Sequence, residues 1–493
     1  MTHKKTTRLT AAWLCALLAA AAVSAASCGQ ETPDTPADTQ TSVTTEAVTE
    51  EPARDLPDFG GRTFTIYSNE HSEREQHRFM IGPDNTTGDP VDDTVYERNL
   101  KVKEELNVNF EYFRSSANWD QITPELNKLI MAGDDTYDVI TGSQYGVVKL
   151  MTNNCFLNVH TLEGFQFDEP WWNKTYMEEL TLAPDVWFFM AGDYFTDVVR
   201  TTRVLYYNKT MYANYFDNGD GLYQMVLDGS WTMDKLSELT KAVYKDLDND
   251  GKINQGDQVG YVTQLLMASV DPFVYGTDCV FINRESDGTI SFNMLNDRNA
   301  KLAEVLTNFF YQEGSLVLDN GEHTKEFAAG NALFLGYSNF ADSAKLRDMK
   351  DDFGYLPHPK LDESQKEYRS LIHDNAVIGT IPVTSKNTDM AGYILDELSR
   401  ITHDTVLPAW YESALKVKYT RDNISAQVID LIHDTAYTSF IYALSPNLSD
   451  IGMVYRTLSQ QHSTNYVSTV EKKLPAAQKK LDEMLEIYRS NTK

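Results

Sequence analysis

Three short segments decide the fold: Arg62–Tyr67 reads RTFTIY, Asn107–Phe113 reads NVNFEYF and Tyr137–Gly142 reads YDVITG. All three are rich in β-branched or aromatic residues, and the first two alternate apolar with polar side chains, which predicts strands. Between them, residues 94–106 and 122–131 carry apolar residues among charged and polar neighbours, as helices do. The order strand–helix–strand–helix–strand predicts an α/β sheet whose ligand crevice lies at the carboxyl ends of the strands.

The same alternation continues along the rest of the chain. Strands are predicted at 187–190, 204–207, 332–335 and 376–381, and helices at 232–245, 299–311, 389–402 and from Pro475 onward. The last helix is expected to begin at Pro475, because the first turn of a helix does not need the N–H that proline lacks. The fold class is therefore α/β.

The first 27 residues have the layout of a signal peptide. A basic segment with Lys4 and Arg8 precedes an alanine-rich apolar run, too short for a stable membrane span, and the small residues Ser24–Ser27. Cys28 follows directly, which resembles the lipobox of bacterial lipoproteins, where this cysteine carries the lipid. Ala25 stands where leucine is commonest, so cleavage by an ordinary signal peptidase stays open.

Residues 28–57 are rich in Thr, Pro and acidic residues, so they cannot bury enough surface to offset the entropy of ordering. We predict a disordered acidic tether, which would hold an exported protein at the cell surface or in the periplasm. The 493-residue chain has 43 basic and 72 acidic residues, a net charge of −29, which argues against nucleic-acid binding and adhesion to anionic membranes. Its 27 Tyr, 22 Phe and 7 Trp favour a neutral ligand instead.

One motif predicts a metal site. Residues 246–257 read DLDNDGKINQGD, with oxygen-bearing side chains at loop positions one, three, five, nine and twelve and glycine at position six. This is the spacing of an EF-hand-type calcium loop. The expected ligands are Asp246, Asp248, Asp250, the backbone carbonyl of Lys252, Asn254 and Asp257. A single loop with Asp at position twelve favours one structural calcium over a sensor, and an acidic turn without metal is the alternative.

Signatures of catalysis are absent from the sequence, which contains no G-x-S-x-G, H-E-x-x-H or G-x-x-x-x-G-K motif. With 72 acidic residues, a carboxylate pair can be chosen for any glycosidase mechanism, so the sequence identifies no particular catalytic pair. Beyond the signal and Cys28, only Cys155 and Cys279 remain. They either form one disulfide or stay separate thiols.

Read in order, several segments resemble an extracellular solute-binding protein of a carbohydrate ABC importer. They are Asp92–Phe113, Tyr137–Ile140, Val204–Lys209, Ser230–Leu236 with its W-T start, Phe327–Phe334, Ile381–Ser385 and Pro408–Lys416. The resemblance covers nearly everything after Asp58 and implies a two-lobed, periplasmic-binding-protein-like fold of type II that closes on its ligand about a hinge. It also implies a small-molecule ligand, presumed oligosaccharide, ABC permease subunits as partners and a monomer.

The implied lobes are 58–195 with 338–380, and 196–337 with 381–493, which holds the calcium loop. The connections between them are expected near Asp193–Arg200, Leu335–Tyr337 and Thr380. Saccharides bind on aromatic faces with polar side chains around their hydroxyls. Residues of these types at strand ends and in loops are the ligand-binding candidates: Tyr145, Asp193, Tyr337, Asn339, Trp410 and Tyr411.

Three functions stay open on these observations. The resemblance favours a binding lipoprotein without catalysis. The calcium-type loop resembles the loops of dockerins, which leaves a secreted glycoside hydrolase as an alternative. A carbohydrate-binding surface protein that uses the same fold without transport is the third.

Overall fold

The structure is a computed structural model. It describes residues 54–69, 76–118, 120–216, 219–264, 267–285, 288–319, 321–416 and 423–491. The predicted strand at 62–67 lies within the first strand of the structure. Residues 56–493 form one compact unit. The predicted signal peptide, Cys28 and nearly all of the tether lie outside the described residues.

The strands are β1 Arg62–Asn69, β2 Val108–Ser115, β3 Val139–Ser143, β4 Arg203–Asn208, β5 Val259–Thr263, β6 Ile282–Arg284, β7 Ile290–Phe292, β8 Ser315–Val317, β9 Ala332–Asn339, β10 Phe353–Leu356, β11 Ser370–Leu371, β12 Val377–Thr380 and β13 Ala436–Tyr437. The helices are α1 Gln76–Met80, α2 Pro90–Glu105, α3 Ile122–Met131, α4 Gln144–Val147, α5 Lys174–Glu179, α6 Asp197–Arg200, α7 Lys209–Phe216, α8 Gly221–Leu227, α9 Met233–Ala242, α10 Asp271–Tyr275, α11 Asp297–Phe310, α12 Glu322–Ala328, α13 Thr388–Ile401, α14 Leu407–Lys416, α15 Asn423–Asp434, α16 Phe440–Ala443, α17 Val454–Gln460 and α18 Tyr466–Asn491. None of the described helices combines the length and the apolar character that crossing a bilayer requires.

The first sheet has the strand order β12-β3-β1-β2. β1 buries Phe64 and Ile66 completely and pairs in parallel with β2 and β3, while β12 runs antiparallel to β3 with Val377 opposite Ser143. α2 begins at Pro90 because the Asp89 side chain accepts hydrogen bonds from the N–H groups of the first turn. The carboxyl ends of β1, β2 and β3 therefore meet the start of β12 at one edge.

The second sheet has the order β10-β4-β9-β5-β8. β5 runs parallel to β8 and β9, whereas β4 runs antiparallel to β9 with Arg203 opposite Asn339. β10 is antiparallel to β4, so it ends near the start of β4. The carboxyl ends of β5, β8, β9 and β10 therefore lie at the same edge of the sheet as Arg203, which begins β4.

Two chain segments connect the sheets and lie side by side. α6 leads into β4, and the return passes through Ile372 into β12. Thr202 forms an antiparallel bridge with Ile372, which ties the two segments together. Since Arg203 begins β4 and Val377 begins β12, the connection joins the edges of both sheets at which the parallel strands end.

Three predictions about single elements are wrong. Residues 187–190 are not a strand: within this buried segment Met190 alone forms a bridge, exchanging two backbone hydrogen bonds of 2.8 and 2.9 Å with Gly379. The last helix begins at Tyr466, and Pro475 lies inside it. The expected connection at Leu335–Tyr337 lies within β9, because that strand continues to Asn339.

The expected lobe boundaries are also wrong for two segments. Phe353–Leu356 was expected in the first lobe within 338–380, but this strand pairs with β4 of the second sheet. Thr388–Ile401 was expected in the second lobe within 381–493, but this helix packs against α2, which also contacts β2 of the first sheet. Hydrogen-bond partners and packing surfaces from distant parts of the chain decide where each segment lies.

Candidate ligand-binding site

Four charged residues lie largely buried around the connection between the sheets, and we call Arg203, Asp271, Asp374 and Arg456 the charge cluster. Arg456 Nε donates to Asp271 Oδ1 at 2.8 Å, and its Nη2 donates to Asp271 Oδ2 at 2.5 Å and to Asp374 Oδ2 at 3.2 Å. The Nδ1 atom of His373 lies 2.8 Å from Asp374 Oδ1. Burying charge costs free energy even when the charges pair, so this cluster indicates a role beyond packing.

The surroundings shift the pKa values of the Asp271 and Asp374 carboxyl groups in opposite directions. Burial raises the pKa of Asp271, and the charge and hydrogen bonds of Arg456 only partly offset this. Burial acts in the same direction on Asp374, but the hydrogen bond and charge of His373, with the charges of Arg456 and Arg203, outweigh it and lower the pKa of Asp374. Asp374 is therefore the more stable anion of the two.

Arg203 is the member of the cluster whose donors are not all used. Its side chain is 2% exposed, and its Nε and Nη2 atoms have no hydrogen-bond partner among the described residues. The guanidinium carbon lies 4.8 Å from the centroid of the Tyr337 ring. Tyr337 takes a left-handed backbone conformation, φ 53°, which costs a residue with a side chain about 1 kcal/mol. The predicted Tyr337 and Asn339 therefore both lie beside Arg203.

His358 follows β10 at the same edge. Its side chain is buried, and neither ring nitrogen has a partner among the described residues. Burial, together with the charge of Arg203, lowers the pKa of His358 to about 3. The imidazole is therefore neutral at physiological pH and has one donor and one acceptor nitrogen free.

The first sheet contributes Gln144 and Tyr145, at the end of β3. The N–H of Tyr145 donates to the carbonyl of Asp374 at 2.8 Å, and Lys149 Nζ lies 3.8 Å from the centroid of the Tyr145 ring. Burial and the charges of nearby acidic residues, Asp374 among them, raise the pKa of Tyr145. The side-chain Nε2 of Gln144 is buried without a partner among the described residues. Both sheets thus bring polar groups to the charge cluster.

The other three predicted residues, Asp193, Trp410 and Tyr411, have different neighbours. His403 Nδ1 lies 2.6 Å from Asp193 Oδ2, and this hydrogen bond raises the pKa of His403 against the effect of burial. The rings of Trp410 and Tyr411 are tilted by 53° to each other with centroids 5.0 Å apart, and Trp410 packs on a small apolar cluster that includes Phe79. The six predicted ligand residues are therefore divided: Tyr145, Tyr337 and Asn339 lie beside the charge cluster, whereas Asp193 contacts His403, and Trp410 and Tyr411 contact each other.

No protein-family model matches the chain, and no curated protein matches its sequence. A solved cyclo/maltodextrin-binding protein complexed with maltotetraose is similar, with a TM-score of 0.52 and 11% identity over 87% of this chain and 97% of that one. The maltose-binding periplasmic protein MalE from Listeria monocytogenes, in complex with maltose, gives a TM-score of 0.52 and 14% identity over 86% and 97%. The chain has a periplasmic-binding-protein fold. The predicted α/β binding-protein fold is confirmed.

Sequence reasoning missed the charge cluster of this binding-protein fold. Its members come from β4, α10, α17 and the return segment, and no spacing along the chain connects them. One signal was available: Arg203 begins the apolar run Val204–Tyr207, and a charge in a buried strand is rare unless it has a role.

Three tryptophans have structural roles. The indole N–H groups of Trp171 and Trp172 both donate to Asp396 Oδ1, at 3.1 and 2.9 Å. Trp231 is fully buried and donates to the carbonyl of Pro357 at 3.0 Å. These three side chains position helices rather than a ligand.

The calcium-type loop gathers three of its predicted side-chain ligands. Asp246, Asp248 and Asp250 each place a carboxylate oxygen within 4.8 Å of the other two. Gly251 has φ 76°, and its N–H donates to Asp246 at 2.9 Å, which folds the loop around the carboxylates. Carboxylate oxygens are the ligands that calcium prefers, so this donor set fits the ion.

Two other predicted ligands, Asp257 and the backbone carbonyl of Lys252, already accept hydrogen bonds within the protein. Asp257 accepts backbone hydrogen bonds from Leu247 at 2.9 Å and Asn254 at 3.0 Å, one on each carboxylate oxygen. The carbonyl of Lys252 accepts a hydrogen bond from the Tyr244 hydroxyl at 3.3 Å.

Cys155 and Cys279 are both buried and free, so no disulfide joins them.

Proposed function

We propose that the protein is a membrane-anchored solute-binding protein that captures a saccharide and delivers it to an ABC importer by hinge closure, without catalysis. One observation carries this proposal: buried polar groups from both sheets converge at the connection between them, and those of Gln144, Arg203 and His358 have no partner among the described residues. Ligand hydroxyl groups would satisfy these donors and acceptors. The two solved neighbours hold maltotetraose and maltose, which supports an oligosaccharide ligand.

The connecting segments suit a hinge. The bridge between Thr202 and Ile372 keeps them side by side. Rotation about them would separate the two ligand-bearing edges, and closure would bring Tyr145 towards Arg203 and Tyr337 around the ligand. Tyr145 and Tyr337 would supply the flat apolar surfaces that sugar C–H groups require.

A panel of oligosaccharides tests this function by thermal shift and calorimetry, with X-ray scattering for closure. We expect one ligand class to raise the melting temperature and to make the protein more compact. Tyr145→Ala should weaken that binding by about 10-fold, whereas Tyr311→Ala, a partly exposed tyrosine stacked on His462, should not. Release of hydrolysis products, or no binding from the whole panel, would contradict the proposal. Permease genes beside this one would support the importer.

The membrane anchor is a lipid on Cys28 in this proposal. Its support is the sequence of the first 28 residues and the acidic tether that follows. Wild-type protein should sediment with membranes and incorporate labelled fatty acid, and Cys28→Ser should do neither. A Cys155→Ser variant is the matched control, because that thiol is buried in the folded body. Membrane association that survives Cys28→Ser would contradict the anchor.

The loop at 246–257 binds one structural calcium in this proposal, supported by the three clustered carboxylates. With a dissociation constant of about 0.1 mM, calcium at 100-fold excess would stabilise the folded protein by about 2.7 kcal/mol. That corresponds to a rise in melting temperature of about 3 °C for a unit of this size. Asp248→Asn should abolish the rise, whereas Asp278→Asn, which lies outside the loop, should preserve it. A melting temperature that does not respond to calcium would exclude the site.

A further inference from the structure

Arg203 has an unused pair of donors in a place where water is scarce. Its side chain is 2% exposed, and Nε and Nη2, which lie on the same side of the guanidinium group, have no partner among the described residues. The Tyr337 ring covers one face of the guanidinium at 4.8 Å. The position of the group is therefore fixed by its surroundings, and its Nε–Nη2 edge is left for something that the protein does not supply.

The carboxylates of the charge cluster do not fill this edge. Both oxygens of Asp271 accept hydrogen bonds from Arg456, and the two oxygens of Asp374 are taken by Arg456 and by His373. Arg203 therefore feels the charge of these two groups without a hydrogen bond to either of them. Leaving two charged N–H donors buried and unpaired is costly, so the arrangement indicates a ligand that pairs with them.

We infer that the ligand of this site carries a carboxylate, which Arg203 binds through Nε and Nη2. This inference rests on the proposed function and narrows its ligand to an acidic saccharide, such as one with a uronic acid unit. Two parallel N–H groups match the two oxygens of a carboxylate, and charge-assisted pairs of this geometry are among the strongest hydrogen bonds in proteins. His358 and Gln144 remain for neutral hydroxyl groups, because the first is uncharged and the second is an amide. The neutral ligand that the aromatic content favoured is replaced by an anionic one.

Matched pairs of saccharides test the inference on the full chain by calorimetry. Oligogalacturonates are compared with galacto-oligosaccharides of equal length, and glucuronic-acid-bearing xylo-oligosaccharides with unsubstituted ones. The acidic member of at least one pair should bind about 100-fold more tightly than its neutral counterpart. Equal or tighter binding of the neutral members would overturn the inference and leave the proposed function standing. Failure of every saccharide to bind would overturn the proposed function and the inference together.

Two variants of Arg203 separate charge from geometry. Arg203→Lys keeps the positive charge next to Asp271 and Asp374 but removes the Nε–Nη2 edge, and Arg203→Gln removes both. Each should weaken binding of the acidic saccharide by about 100-fold and that of the neutral one by less than about 3-fold. Arg298→Lys, at a partly exposed arginine paired with Asp278, is the control and should change neither. Circular dichroism establishes that each variant is folded, and an equal loss for both saccharides would overturn the inference.

Discussion

Replacing Arg456 with methionine tests whether the charge cluster holds the two sheets together. The substitution keeps most of the aliphatic volume but removes three hydrogen bonds to carboxylates, at 2.8, 2.5 and 3.2 Å. Breaking one partner of a buried ion pair costs roughly 3–5 kcal/mol, because the other charge is left unpaired. We therefore expect the free energy of unfolding to fall by about 4 kcal/mol.

The expected shift in melting temperature follows from the size of the folded unit, residues 56–493. A unit of roughly 440 residues has an unfolding entropy of about 0.9 kcal/mol/K, so a loss of about 4 kcal/mol lowers the melting temperature by about 4 °C. Arg298→Met is the control, because Arg298 pairs with Asp278 and Asp362 while its side chain is 30% exposed. Pairs at such exposed sites are worth about 1 kcal/mol or less, so this variant should lose about 1 °C.

A pH series gives the same experiment a second readout. Burial raises the pKa of Asp271, and loss of Arg456 would raise it further. The folded variant then holds a proton that the unfolded chain releases, so its stability rises as pH falls toward the unfolded pKa near 3.8, and its deficit against the wild type shrinks. Asp271→Asn combined with Arg456→Met should recover about half of the loss. A deficit no larger than that of Arg298→Met, or one that grows as pH falls, would refute the reasoning.

Three further predictions concern other parts of the molecule. The hydrogen bond that His403 donates to Asp193 raises the pKa of His403, so the stability it contributes is complete below the unfolded pKa of 6.5 and is lost as pH rises through the folded pKa; melting curves of His403→Gln should lack this pH-dependent loss. Asp396→Leu should lower the melting temperature by about 3 °C, since it removes the carboxylate that accepts both indole N–H groups, and an unchanged value would exclude the role given to Asp396. Gly336→Ala should cost about 1–3 kcal/mol in urea unfolding, because its Cβ would overlap the Tyr261 hydroxyl, and a neutral effect would disprove the close approach.

Local patterns predicted much of the fold. α3 occupies the predicted range 122–131, and β1, β2 and β3 cover the three segments that alternate or carry β-branched residues. These elements are readable because side-chain spacing along a helix or strand decides which face is buried. The strand predicted at 187–190 was wrong because any buried segment contains apolar residues, whether or not a neighbouring strand offers it hydrogen bonds.

The sequence by itself determined the α/β order, the calcium-type loop and the layout of the first 28 residues, since each is written in consecutive residues. Only the tertiary structure decided the binding site. Arg203, Asp271, Asp374 and Arg456 come from distant segments, and their meeting depends on strand pairing and helix packing that no local spacing encodes. The same is true of the donors that Arg203 leaves unpaired, because whether a polar atom has a partner depends on every segment that folds around it.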